Sequence, residues 1–143
     1  MVQFCFDWKH ISLIAGMHLK GVCFRMHDGS IKKQEVLAFL KALRVHLPQR
    51  LLIVWDRAKP HRSRLVRDYV DSTNGHINIE FLPAYAPELN PVEFLWAWLK
   101  RHALANFCPD TLGDLRHNAR CKLRSAQHRC AIVASCWAQA ELF

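Results

Sequence analysis

Two acidic residues, Asp56 and Glu93, stand at positions that suit the binding of a divalent cation. Asp56 directly follows an apolar run at residues 51–55, and Glu93 lies in the first turn of a predicted helix. Two carboxylates about 4 to 5 Å apart repel each other unless one is protonated or a cation lies between them. Mg²⁺ prefers oxygen ligands and is often held by one or two carboxylates, with substrate phosphate completing its shell. Such a pair would support metal-assisted phosphodiester chemistry.

Both acids also have a purely structural interpretation. Asn90, Pro91 and Glu93 form a near capping box, in which the Glu93 side chain would accept a hydrogen bond from the Asn90 amide. Spacing alone favours this cap over a metal ligand. Asp56 would similarly start the turn after the strand, or pair with a basic neighbour.

The basic residues favour a polyanionic partner. Lys plus Arg number 20 against 12 Asp plus Glu, which gives a net charge of +8. One cluster follows Asp56 and comprises Arg57, Lys59, Arg62, Arg64 and Arg67, and a second lies along a predicted helix at Arg116, Arg120, Lys122, Arg124 and Arg129. Both would face nucleic-acid phosphates, although a solvated cationic surface explains the second cluster equally well.

Length and composition restrict the class of protein. A chain of 143 residues with 51% hydrophobic residues predicts one folded domain. Its longest apolar run, residues 51–55, is far too short to span a bilayer, and no secretory signal is visible, so we expect a cytoplasmic protein. The six cysteines lack the close pairing of a zinc ribbon, which favours reduced thiols packed as small apolar residues.

The elements that must position the two acids alternate between strands and helices. Strands are predicted at residues 4–18, 21–27, 51–55 and 77–82, and helices at 32–47, 60–70, from 91 onward, at 111–129 and at 131–142. The first two strands form a hairpin, and the third is apolar enough to be covered on both faces. This order predicts an α/β sheet with an antiparallel edge and parallel strands linked by helices. Ligands bind at the carboxyl ends of such strands, which is where Asp56 lies.

Two stretches resemble a known family. LIVWDRAKPHRS at residues 52–63, and FLPAYAPELNPVEFLW at 81–96 followed by Leu99, Lys100 and Arg101, are similar to the catalytic region of bacterial insertion-sequence transposases of the mariner-like DDE superfamily. The second stretch is the more specific. The resemblance extends from about Trp8 to Arg101 and is looser beyond.

The resemblance implies a fold, a reaction and a site. The fold would be α/β, a ribonuclease H-like mixed sheet flanked by helices, in a partial catalytic domain at residues 1–143 that is helical from about residue 105. The activity would be Mg²⁺- or Mn²⁺-dependent cleavage and strand transfer of transposon-end DNA by a homodimer associated with the nucleoid. Asp56 and Glu93 would be the second and third acidic metal ligands, and His61 would position Asp56 or a phosphate, or simply begin a helix. DNA contacts are expected at Arg57, Lys59, Arg62, Arg64, Lys100 and Arg101.

The sequence departs from the family pattern at its start. In the family the first acidic ligand lies on a strand before the hairpin, whereas residues 6–12 already resemble the following strand. The first central strand is therefore expected to be missing, together with the family's DNA-reading helix-turn-helix domain, and an edge of the sheet is expected to be unpaired. Two alternatives stay open: an inactive DNA-binding or dimerising remnant, and a small nuclease whose metal site is completed by Asp7.

Overall fold

The structure is a computed structural model that describes residues 3–6, 9–105 and 108–140. Within these residues the strands are β1 (Gln3–Phe6), β2 (Lys9–His18), β3 (Gly21–Asp28), β4 (Leu51–Trp55) and β5 (Ile77–Phe81). The helices are α1 (Lys33–His46), α2 (Arg64–Ser72), α3 (Pro91–Leu99), α4 (Leu112–Gln127) and α5 (Cys130–Gln139). The chain divides into two compact units: one holds the residues up to Ser30 and those from Pro87 on, and the other is Ile31–Ala86.

The first unit contains an antiparallel sheet in the order β1-β2-β3. The predicted hairpin is confirmed, because β2 pairs with β3 from Ile11 opposite Asp28 to His18 opposite Gly21. The prediction of one strand over residues 4–18 is wrong, since the chain forms the separate strands β1 and β2 there. The expectation that the strand before the hairpin is missing is also wrong: β1 precedes the hairpin and pairs antiparallel with β2 from Gln3 opposite Ser12 to Phe6 opposite Lys9, so the edge of β2 that this loss would have left unpaired has a partner.

The helices of the first unit pack on this sheet around α3. Leu95, Trp96 and Leu99 of α3 are completely or almost completely buried, in a cluster that includes Leu13 of β2 and Leu123 of α4. Burial of each such side chain stabilises the fold by about 1.5 to 3 kcal/mol. This packing holds the α3 helix, and with it the backbone of its first turn, in a fixed place within the unit.

The second unit contains a parallel pair of strands and two helices. β4 and β5 pair in register from Leu51 opposite Ile77 to Trp55 opposite Phe81, so their carboxyl ends lie side by side. α1 buries Val36, Phe39 and Leu40 and packs on α2, and α2 packs on β5. The parallel strands joined by a helix agree with the prediction. The single mixed sheet that we expected is replaced, in the described residues, by two smaller sheets.

Two local expectations in the second unit are wrong. The predicted helix at 60–70 is a 3-10 turn at Lys59–Arg62 followed by α2, because the Ser63 hydroxyl accepts a hydrogen bond from the Val66 amide and so begins a new helix. β4 is not covered on both faces, since the side chain of Leu52 is 66% exposed and that of Val54 is also exposed. The apolar run therefore predicted the strand correctly, but it did not predict which faces of the strand are buried.

Over the parts of the chain that are described, no helix is long and apolar enough to cross a membrane.

Candidate functional site

Asp56 lies directly after β4, at the carboxyl end of the parallel pair. Its side-chain Oδ1 accepts a hydrogen bond from the Ala58 amide at 3.0 Å, which closes a tight turn of the type that aspartate favours. The neighbouring strand ends at the same edge, where the Leu82 amide donates to the Trp55 carbonyl at 2.8 Å. The side chain is 41% exposed, so one carboxylate is presented to solvent at the edge where ligands bind in such sheets.

His61 contacts Asp56 directly. Its Nδ1 lies 2.8 Å from Asp56 Oδ1 and 3.2 Å from the Asp56 carbonyl oxygen. Both of these atoms are acceptors, so Nδ1 carries the proton and donates. The His61 ring is buried and stacks on Trp55, with ring centroids 4.2 Å apart and planes inclined by 2°. The 3-10 turn at Lys59–Arg62 brings the histidine back onto the end of β4.

These contacts keep Asp56 ionised. The pKa of the Asp56 carboxyl is lowered to about 2, chiefly by the hydrogen bond from His61 and also by that from the Ala58 amide, against the opposing effect of burial. A carboxylate that is already deprotonated at neutral pH binds a cation without first releasing a proton. Among the described residues, both hydrogen bonds to this carboxylate are made to Oδ1 and none to Oδ2.

Glu93 occupies the first turn of α3 in the other unit. The helix begins at Asn90, whose side-chain oxygen accepts from the Val92 amide at 3.1 Å, and Pro91 follows at the first helical position. The Asn90 amide donates to the Pro87 carbonyl at 3.0 Å, so the amide that a capping box would use already has an acceptor. Glu93 is half-buried. Glu93 thus belongs to the first unit and Asp56 to the second.

The basic residues after Asp56 lie on the surface as the sequence suggests. Arg57, Lys59, Arg62, Arg64 and Arg67 are all exposed. Arg57 donates from Nε to the Leu82 carbonyl at 3.3 Å, and Arg64 lies 3.7 Å from Asp68. Lys100 and Arg101 are also exposed, directly after α3. In the second cluster Arg116 pairs with Asp28, which leaves Arg120, Lys122, Arg124 and Arg129 as its exposed members.

The first acidic ligand stays a prediction. Asp7, the local candidate, lies outside the described residues. Among the side chains that are described, no group of three or more His, Cys, Asp or Glu could hold a metal ion. The assignment of metal-ligating and DNA-binding roles to Asp56, Glu93 and the basic residues therefore remains a prediction too.

Sequence reasoning missed the part that Trp55 plays. The stacking of Trp55 on His61 depends on the turn between them, and the spacing of apolar residues does not predict that turn. The available signal was local: an aromatic residue immediately before Asp56 and a histidine five residues after it. It also missed Tyr85, whose backbone has φ of 57° and whose side chain is completely exposed.

Comparison with solved structures identifies the fold. The chain matches the Mos1 transposase catalytic domain, solved with raltegravir and Mg, with a TM-score of 0.66 and 22% identity over 99% of this chain and 82% of that chain. It matches the Mos1 mariner paired-end complex with Mn at a TM-score of 0.69 and 22% identity, over 99% of this chain and 45% of that chain. A simian T-cell lymphotropic virus intasome gives 0.55 and 13% identity over 89% of this chain and 46% of that chain. The fold is therefore the ribonuclease H-like α/β fold of a transposase catalytic domain, as predicted.

The family follows from the sequence itself. Residues 6–116 match the family described as DDE superfamily endonuclease. The match covers most of the chain and includes both Asp56 and Glu93. No curated protein sequence matches. The chain belongs to the DDE superfamily endonucleases, and it spans slightly less than half the length of the Mos1 chains in their DNA complexes.

Proposed function

We propose that this chain is the catalytic part of a DDE transposase, which cleaves transposon-end DNA and joins it to a target with the help of Mg²⁺ or Mn²⁺. The observation that carries the proposal is the state of Asp56: an ionised carboxylate at the carboxyl end of β4, with one oxygen fixed by two hydrogen bonds. The family match and the likeness to Mos1 structures that contain Mg, Mn or transposon ends support it.

Asp56 and Glu93 are the residues proposed to hold the metal. Asp56 fits this role because Oδ2 has no hydrogen-bond partner among the described residues and because its low pKa keeps it charged. Glu93 fits because buried residues of the same helix, Leu95 and Trp96, fix its backbone. A bound divalent cation would lower the pKa of an attacking water or hydroxyl and stabilise the leaving oxygen.

The chain's own residues prepare the site for DNA. His61 holds Oδ1 of Asp56 by a hydrogen bond, so the carboxylate does not rotate freely and Oδ2 keeps one direction. The exposed cations that follow, Arg57, Lys59 and Arg62, would bind backbone phosphates and bring the phosphodiester to the acidic residue. Lys100 and Arg101 would add phosphate contacts after α3.

The test is cleavage of supercoiled plasmid by the full chain with Mn²⁺ or Mg²⁺. We expect nicking that a chelator abolishes, and we expect Asp56→Asn and Glu93→Gln each to lower the rate at least about 100-fold, because each removes a metal-ligating charge. Glu88→Gln is the matched control. Glu88 is an exposed acid five residues before Glu93, and its loss should leave nicking within about twofold. Full nicking by either site variant would overturn the metal-ligand assignment.

The same experiment separates the alternatives. DNA binding without metal-dependent nicking would identify the chain as an inactive DNA-binding or dimerising remnant. If the wild-type chain nicks DNA, Asp7→Asn tests the candidate for the first acidic ligand: loss of activity would identify Asp7 as the residue that completes the site, and unchanged activity would exclude it.

The proposal extends to assembly and location. The Mos1 relatives form paired-end and strand transfer complexes, and we propose that this chain likewise acts as a homodimer on two DNA ends, in the cytoplasm at the nucleoid. Light scattering of the chain with and without DNA measures the oligomeric state. A monomer in both conditions would exclude the dimer.

A further inference from the structure

Tyr85 is unusual in both its backbone and its side chain. It lies in the loop that follows β5, between Pro83 and Pro87, with φ of 57°, a left-handed conformation that few residues with a side chain adopt. Its side chain is completely exposed, so its ring packs against nothing in the described residues. The fold thus accepts a strained backbone at a residue whose ring contributes no packing. Strained backbone conformations of this kind cluster at active sites and ligand-binding positions.

The loop of Tyr85 begins at the same strand edge as Asp56. The Leu82 amide is bonded to the Trp55 carbonyl, and the Leu82 carbonyl accepts from Nε of Arg57. Tyr85 is the third residue after Leu82, so the two lie at most about 11 Å apart. All of these residues belong to the second unit. Tyr85 is therefore tethered near the end of β4, where Asp56 and the exposed Arg57 lie.

We propose that Tyr85 is a stacking platform for an unpaired nucleobase of the DNA substrate. This inference rests on the proposed function and adds a contact to it. An aromatic ring with both faces exposed, on a loop whose first residue binds the Arg57 side chain, has the two features of a site for single-stranded nucleic acid: stacking for bases and positive charge for phosphates.

The occupant is an unpaired base and not a base pair. In a duplex both faces of an internal base are covered by its neighbours, so only an overhanging, frayed or extrahelical base offers a face to a protein ring. The prolines on either side of Tyr85 limit the motion of the loop, so little freedom is lost when a base stacks. A surface for a protein partner would instead present several adjoining apolar side chains. The residues that flank Tyr85 here are Ala84 and Ala86.

The experiment measures binding of the full chain to two DNA hairpins in the presence of a chelator, so that no cleavage occurs. One hairpin has a blunt end, and the other carries a three-nucleotide single-stranded overhang containing 2-aminopurine, whose fluorescence is quenched by stacking. Tyr85→Asn removes the ring and keeps a residue that tolerates the left-handed backbone. Tyr85→Phe keeps the ring. Val45→Asn, which removes another exposed apolar side chain from α1, is the control.

We expect Tyr85→Asn to weaken binding of the overhang DNA by about five- to 100-fold and to change blunt-end binding less than about twofold. The wild-type chain and Tyr85→Phe should quench 2-aminopurine, and Tyr85→Asn should not. Equal losses on both hairpins, or none on either, would overturn the inference. If Tyr85→Asn leaves DNA binding intact and dissociates an oligomer, Tyr85 is a protein contact and the inference is wrong. A wild-type chain that binds neither hairpin overturns the proposed function as well, whereas intact binding by Tyr85→Asn overturns this inference alone.

Discussion

The charge of Asp56 is set by residues of its own turn. The His61 hydrogen bond is the largest cause of the low pKa, and burial acts in the opposite direction. The pKa of Asp56 is about 2 in the folded protein and about 3.9 in the unfolded chain. The ionised carboxylate therefore contributes its full stabilisation of the fold at pH values above the unfolded-state pKa. This contribution is lost as the pH falls towards 2. At neutral pH the Asp56 carboxylate is therefore ionised.

Replacement of His61 should change this state in a measurable way. In His61→Ala the donor is gone, and we expect the pKa of Asp56 to rise from about 2 towards its usual value. In His61→Asn the side-chain amide takes the position of Nδ1, so the pKa should stay low. Titration of the Asp56 carboxyl carbon by NMR measures both. An unchanged pKa in His61→Ala would mean that His61 does not hold the carboxylate.

At the scale of elements, the start of α3 decides where Glu93 lies. Asn90 is buried, and its side chain caps the helix by accepting from the Val92 amide. Asn90→Ala leaves this amide without its acceptor, and we expect the free energy of unfolding to fall by about 1 kcal/mol. Asn90→Ser supplies another good cap and should recover most of the loss. Urea unfolding measures both, and equal stability of Asn90→Ala and wild type would exclude a capping role.

The elements that were predicted correctly are those with local signals. The β2–β3 hairpin has a short turn between apolar strands, and α1 repeats its apolar residues at helical spacing. The start of α3 carries the Asn90 cap followed by Pro91. The errors came from contacts that depend on distant residues. Nothing local separates β1 from β2, and the exposure of Leu52 depends on what packs against the sheet rather than on the apolar run itself.

The residues of the candidate site also differ in how far the sequence predicts them. Asp56 and Glu93 could be selected from the sequence because an acid after an apolar run and an acid at a helix start are local features, supported by the family resemblance. The Trp55 stack and the left-handed backbone of Tyr85 could not, since both depend on how the chain turns after β4 and β5. Local patterns therefore selected the acidic residues, and the structure was needed to find the residues around them.

At the scale of the whole molecule, the net charge of +8 should appear in the salt dependence of DNA binding. Each phosphate contact releases condensed counterions and adds about −0.9 to the slope of log K against log salt concentration.

Lys59 and Arg62 are exposed beside Asp56. If both bind phosphates, the double variant Lys59→Gln/Arg62→Gln should lower the magnitude of the slope by about two. Lys33→Gln/Arg44→Gln removes the same charge from exposed positions of α1 and should leave the slope within about 0.5 of wild type. Fluorescence anisotropy between about 50 and 200 mM salt measures both slopes. Equal reductions in the two variants would mean that DNA responds to total charge and has no preferred surface at the end of β4.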